Sequence, residues 1–206
     1  MNRTEIAPLV RERLGLPADD NRVNNTAVYI AINTALRRIP KDFDWNWLVD
    51  SETFTLLAGT TSRVIPANWL RTLWITAPDV GFEIRNSQRR AMLKWQPVSG
   101  FPQLFSTEGR VITFAPTPSR DVTIEHQFVR EEVQLNDDTT EPLCPDSYID
   151  IIVLYAALVI STKLRDAVML ASIKSELDDW KNRDKESNRA KPNLSIRVRN
   201  QIRLWC

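Results

Sequence analysis

The chain has 206 residues, of which 43% are hydrophobic and 26% are charged, and this ordinary composition excludes bulk disorder. The net charge is +1, but residues 181–206 hold eight Lys or Arg and two acids, so that end is +6 and the other 180 residues are −5. A basic end on an acidic body predicts an interaction arm that meets nucleic acid, an acidic protein surface or a second copy of the chain.

No membrane partner is expected. The longest apolar stretch, "IDIIVLYAALVI", contains Asp150 and is too short to span a bilayer. The first residues lack a basic and then apolar leader, so no signal peptide is predicted. Cys144 and Cys206 do not have the spacing of metal ligands, and two free thiols in a reducing compartment are expected.

Two helices are predicted at the beginning of the chain. "TEIAPLVRERLG" has apolar residues at helical spacing between Thr4, a suitable cap, and Gly15. A second helix is predicted from about Asn24 to Arg38, where Pro40 is expected to stop it.

The spacing changes near Trp45 to period-two alternation, which predicts short strands over residues 47–133. "ETFTLL" and "SRVIP" flank "AGTT", a combination that predicts a β-hairpin. "NSQRRAMLKW" interrupts the strands as a short helical turn, and its cations (Arg89, Arg90 and Lys94, with Arg85 nearby) are interpreted as a solvated face.

Two more helices follow a linker rich in turn-forming residues. The first is predicted from about Ser147 to Leu164, with apolar residues on most of its circumference, so it should be the buried central helix. The second is predicted to end near Arg183, before a polar spacer.

These elements predict an α+β fold. Two N-terminal and two C-terminal helices, from residues 1–46 and 134–186, are expected to form one helical bundle domain. A small β-sheet domain, residues 47–133, is expected to be inserted in it. Residues 187–206 are predicted to form an extended C-terminal docking tail.

The tail alternates between an apolar and a basic face, which is the pattern of a β-strand with no hairpin neighbour of its own. We therefore expect it to complete a sheet in another chain. The predicted docking residues are Leu194, Ile196, Arg197, Val198, Arg199, Ile202, Arg203, Leu204 and Trp205.

Nothing in the sequence predicts catalysis, a bound metal or a cofactor. There is no phosphate-binding glycine loop and no metal-ligand motif, and the one histidine, His126, lies on an apolar strand face where packing is the usual role. The seven tryptophans are interpreted as core or interface residues, with a ligand-stacking platform as the alternative. The chain is predicted not to be an enzyme.

The order of several short motifs resembles the head-to-tail connector adaptors of tailed bacteriophages. "WLVDSETFTLLAGTTSRVIPANWLRTLWIT" is similar to their tryptophan, alternating strand and "AGT" pattern. "GRVITFAPTPSRDVTIEHQFVREEVQL" resembles their strand, P-x-P, strand segment, and "EPLCPDSYIDIIVLYAALVIS" resembles the opening of their apolar helix. The N-terminal segment "IAPLVRERLGLP" also resembles the first helix of these adaptors.

This resemblance implies a structural virion protein at the head–tail interface, assembled in the host cytoplasm. Such adaptors form a ring, usually dodecameric, beneath the portal ring and above a downstream tail or stopper protein, and DNA passes through the lumen. The resemblance also implies the portal as the partner of the tail, because these adaptors often embrace it with C-terminal extensions.

Two other functions remain open at this stage. The first is a nucleic-acid-binding module that uses the basic tail, although the body is acidic and the cations follow a strand rather than a recognition helix. The second is a carbohydrate-binding or tail-tip module in which tryptophans stack on sugars.

Overall fold

The computed structural model describes residues 1–17, 20, 22–95 and 97–190, with side chains as far as residue 186. The chain divides into two compact units. One, the helical unit, is Met1–Leu48 with the chain from Glu131 onward, and the other, the β unit, is Val49–Arg130. Five helices are described: α1 (Arg3–Arg13), α2 (Asn25–Asp42), α3 (Arg89–Met92), α4 (Ile149–Leu164) and α5 (Ala167–Ala190).

The helical unit is built around α4. Eleven residues of α4 are buried, and it contacts α1, α2 and α5. The apolar residues of α2 recur at helical spacing and are buried from Val28 to Ile39. Asn2 caps α1, and the side chain of Glu5 accepts a hydrogen bond from the backbone N–H of Asn2. These contacts make the four helices one packed unit.

The α4 region is also the most apolar part of the described chain. The segment Asp146–Leu164 has a mean hydropathy of 1.6 and is long and apolar enough to cross a membrane by length and composition. However, 61% of it is buried inside the protein. A mostly buried helix in a protein core can have the same length and hydropathy.

Nine strands are described in the β unit, and they form two sheets. The strands are β1 (Val49–Leu56), β2 (Ser62–Val64), β3 (Trp69–Ala77), β4 (Phe82–Asn86), β5 (Ser99–Gly100), β6 (Leu104–Glu108), β7 (Val111–Ala115), β8 (Thr117–Pro118) and β9 (Val122–Arg130). Seven of them form a mixed sheet in the order β1-β9-β3-β4-β6-β7-β2, in which only β4 and β6 are parallel. β5 and β8 form a separate two-stranded sheet.

The predicted fold class, a helical bundle with a small inserted β-sheet and an extended C-terminal tail, is wrong. The β part is a large seven-stranded mixed sheet, and one of the five helices, α3, lies within its chain segment. Alternation in a sequence shows which face of each strand is buried, but it does not show how many strands join one sheet. The predicted tail lies outside the described residues from residue 191 onward.

The predicted hairpin between the first two strands is also wrong. β1 pairs with β9 and β2 pairs with β7, so β1 and β2 are the two edges of the large sheet. The turn with Gly59 at φ +76° connects them without making them neighbours. The buried core of this unit includes Phe54, Ile75, Phe105, Phe114 and Ile124.

Candidate functional site

The docking residues predicted from sequence, Leu194 to Trp205, lie outside the described residues. Candidate sites come instead from the surfaces and buried polar groups of the two units.

His126 is fully buried in the β unit and belongs to a hydrogen-bonded chain of side chains. Its Nδ1 lies 3.1 Å from Glu52 Oε1, and its Nε2 lies 3.0 Å from the hydroxyl of Thr72. The indole N–H of Trp69 donates to the same hydroxyl at 3.2 Å. Arg63 Nη2 completes the chain at 3.1 Å from Glu52 Oε2.

This arrangement fixes a neutral form of His126. The carboxylate of Glu52 accepts, so Nδ1 carries the ring proton and Nε2 accepts from Thr72. Burial lowers the pKa of His126 and outweighs the opposing hydrogen bond and charge of Glu52. The histidine acts as a structural bridge between β1, β3 and β9, and its fully buried ring does not reach solvent.

Within the described residues, no group of three or more His, Cys, Asp or Glu side chains is placed to hold a metal ion. Cys144 is a buried free thiol, and burial, with the nearby charge of Glu132, raises its pKa to about 12. It is therefore protonated and unreactive near neutral pH. Cys206 lies outside the described residues.

On its side away from β9, the edge strand β1 has backbone groups that pair with no other strand of the described residues. The N–H of Ser51 donates to its neighbour Asp50 Oδ1 at 2.9 Å and so points away from β9. Because backbone direction alternates along a strand, Thr53 and Thr55 face the same open side. Arg63, which lies on β2, packs over the ring of Phe54 at 3.9 Å, so the two edges of the curved sheet approach each other.

A cleft of about 490 Å³ opens on the β unit. The rings of Phe82 and Phe101 lie 6.0 Å apart in its wall, and Arg85 and Arg120 also line it. Neither arginine has an acidic partner among the ion pairs of the described residues. Glu83 lines the same cleft, so the cleft combines an apolar wall with charges of both signs.

A second exposed surface of the β unit is the basic turn, which we define as Arg90, Leu93, Lys94, Trp95 and Val98. Leu93 is 54% exposed, and Trp95 and Val98 are each 47% exposed. Fully buried Met92 anchors the turn, and backbone hydrogen bonds from Leu93 to Arg89 and from Trp95 to Met92 fix its shape. Large exposed apolar side chains beside cations are typical of a protein contact surface rather than of a merely solvated face.

In the helical unit, a row of aromatic rings positions the linker before α4. Phe43, Trp45, Trp47 and Tyr148 follow one another with ring centroids 4.6–4.9 Å apart, and Trp180 continues the row at 6.0 Å. Trp45 is fully buried, which agrees with the expected core role of the tryptophans. The indole N–H of Trp47 donates to Glu132 Oε2 at 3.2 Å.

In the helical unit, Glu132 shapes an exposed surface. Its Oε1 accepts from the backbone N–H of Val133 at 3.1 Å and of Leu143 at 2.6 Å, so the two ends of the linker lie side by side. Glu132 itself is buried, whereas Glu131 and Val133 on either side of it are exposed. We define the acidic face as the exposed residues Glu131, Val133, Glu141, Leu143 and Asp146.

The sequence predicted a solvated face for the cations of the basic turn and a linker rich in turn-forming residues for the acidic face. A usable signal was present for the acidic face, because residues 131–150 contain seven acids and no Lys or Arg. The inward orientation of Glu132 had no signal in the sequence, since its partners come from a turn and from the other end of the linker.

A family model described as SU10 adaptor protein matches residues 1–193 of the chain. The matched range contains all of the described residues of both units. All of the predicted docking residues, which begin at Leu194, lie beyond it. No curated protein matches the chain.

Proposed function

The chain belongs to the SU10 adaptor protein family, a phage head-to-tail adaptor family, and from this premise we propose that it forms a ring beneath the portal and joins the head to the tail. Family membership makes it a structural protein of the virion. In the proposal the ring is dodecameric, DNA passes through its lumen, and the protein has no enzymatic activity. The copies are made in the host cytoplasm and join the virion there.

The observation that carries this proposal is the family match over residues 1–193, which contains all of the described residues of both units. The described surfaces support it. An open strand edge, a cleft and two exposed apolar surfaces with opposite charge are features of a protein that contacts other proteins. The buried polar network of His126, by contrast, connects strands of the β unit.

We further propose that residues 191–206 attach the ring to the portal. In an extended conformation, Leu194 to Trp205 would reach on the order of 40 Å, which is enough to leave the subunit that carries it. An apolar face beside a basic face suits an acidic-rimmed groove or an open sheet edge, and main-chain hydrogen bonds would set the register. Many copies in one ring would multiply a modest affinity for each tail.

The remaining surfaces of the ring would contact a downstream tail or stopper protein. The chain without its basic end has a net charge of −5, so the proposed lumen would not hold DNA by strong general attraction. This charge favours passage of DNA over retention. It also argues against the nucleic-acid-binding module as the main function.

The experiment that tests the proposal is co-sedimentation of the full chain with the purified portal protein of the same phage. The expected result is a saturable complex that forms with wild type and is lost for a chain that ends at residue 190. The cut keeps α5 complete, because the helix is described to Ala190. A portal that never retains the wild-type chain would contradict the proposal.

A further inference from the structure

We propose that the basic turn of one copy docks on the acidic face of the next copy and that this contact closes the ring. The inference rests on the proposed ring, and it names the surfaces that form the ring. It depends on the described exposure, charge and apolar content of the two surfaces.

The basic turn has the composition of an interface centre. Three large apolar side chains, of which Trp95 is the largest, are about half exposed in the turns that follow α3. Arg90 and Lys94 flank them, and neither has an acidic partner among the ion pairs of the described residues. Arg89, in contrast, pairs with Glu108 of the same copy. Aromatic anchors ringed by charge are typical of binding hot spots.

The acidic face offers the complementary surface. Glu131 and Val133 project on the same side of one extended segment, and Glu141 and Leu143 do so on the adjacent one. Val133 and Leu143 are 37% and 38% exposed, which gives the face an apolar centre with carboxylates around it. Glu141 also pairs with the N-terminal amine at 3.2 Å, and Asp146 interacts with the same amine, so Glu131 supplies the least compensated charge.

The chemistry of the two surfaces selects a second copy as the partner. Each copy carries one surface of each sign, on different units, so the contact is heterologous and repeats from copy to copy. Such a contact forms a ring when its rotation closes. In a two-fold dimer the same two surfaces would pair reciprocally and leave no surface for a third copy, so the proposed ring requires the head-to-tail arrangement. DNA would use the cations of the basic turn but would leave Leu93 and Val98 without an apolar partner.

Charge reversal on each surface tests the contact. The first variant is Arg90→Glu with Lys94→Glu, and the second is Glu131→Lys with Glu141→Lys, all in the full chain. Each variant alone sets like charges against each other, so the concentration needed for half-maximal ring assembly on the portal should rise by about tenfold or more. A 1:1 mixture of the two should assemble again as an alternating ring, since every contact regains opposite charges.

The matched control is Arg37→Glu with Lys174→Glu, which changes the net charge as the first variant does, at exposed positions on α2 and α5. It should assemble like wild type. Mass photometry counts the copies on each portal ring, and circular dichroism with thermal unfolding checks that every variant is folded.

Outcomes for the ring contact and for the proposed function are distinguishable. If both variants assemble alone as wild type does, this contact is wrong and the adaptor function stands. If wild type does not assemble on the portal, the proposed function fails and the inference fails with it. Failure of the mixture to assemble, with both variants folded, also overturns the contact. Unchanged ring assembly by the first variant, together with weaker binding to duplex DNA than wild type in a filter-binding assay, would also overturn the contact and would make the basic turn a DNA surface.

Discussion

His126 and Glu52 lie directly opposite each other on β9 and β1, and His126 Nδ1 is 3.1 Å from a carboxylate oxygen of Glu52 inside the sheet. Glu52 is joined in turn to Arg63 on the other edge strand, at 3.1 Å. The only histidine of the chain therefore connects a central strand to both edges of the large sheet. Its role is to satisfy polar groups in the interior of the β unit.

Replacing His126 by Gln should leave folding and assembly intact, because a glutamine amide both donates and accepts hydrogen bonds. Replacing it by Leu should lower the free energy of unfolding by about 1–3 kcal/mol, since Glu52 and Thr72 would each lose a buried partner. Urea unfolding of both variants beside wild type measures the difference. Equal stability of the Leu and Gln variants would show that the hydrogen bonds contribute nothing.

The same histidine should make stability depend on pH. Burial holds the pKa of His126 below its ordinary value of 6.5, so the unfolded chain binds the proton first as pH falls. Above pH 6.5, the ordinary pKa, the neutral ring makes its full contribution to stability. This contribution is lost as the pH falls from 6.5 towards the lower pKa of the folded state. Wild type should therefore lose more stability between pH 7 and pH 5 than His126→Gln does, measured by thermal unfolding at each pH. Parallel curves for the two proteins would contradict the assignment.

The helical unit is predicted to depend on a second polar contact. The hydroxyl of buried Tyr155 on α4 donates to Asp42 at the end of α2, and Lys181 on α5 donates to the same carboxylate oxygen at 2.6 Å. Burial opposes ionisation, but these two hydrogen bonds outweigh it and hold the pKa of Asp42 below its usual range. Tyr155→Phe should lower the free energy of unfolding by about 1–2 kcal/mol with little change in packing. Thr162→Val, which removes a hydroxyl that bonds within α4, serves as the control.

The sequence predicted the helices well because each has a local signal. The buried stripe of α2 and the apolar circumference of α4 follow from spacing alone. The end of α2 did not follow, since the helix continues through Pro40 to Asp42. Proline removes one N–H but leaves the residues after it free to keep helical angles.

The strands were visible in the sequence, but their partners were not. Phe54 and Leu56 were recognisable as alternating apolar residues of β1, yet β1 pairs with β9, whose residues lie far along the chain. The turn around Gly59 looked like a hairpin because local composition reports a change of direction, not the pairing that follows it. The acidic face was missed for a similar reason, as Glu132 brings together two ends of a linker that share no local pattern.

Changes in the tail should separate its apolar and basic faces. Replacing Ile196 and Val198 together by Asp should abolish portal attachment, because two charges would enter the face that we propose is buried. Replacing Arg197 and Arg199 by Ala should weaken attachment less, and the difference from wild type should shrink as salt increases, because exposed pairs are screened. Binding of each variant to immobilised portal at two salt concentrations measures both effects. Unchanged binding of the double Asp variant would rule out the tail as the docking strand.

The most direct test of the adaptor function is electron microscopy of the full chain mixed with purified portal, with mass photometry of the same sample. The account predicts one closed ring of copies on one end of each portal, with an open lumen on the portal axis. Single copies scattered on the portal, or portals with no bound chain at concentrations well above those used for assembly, would contradict it.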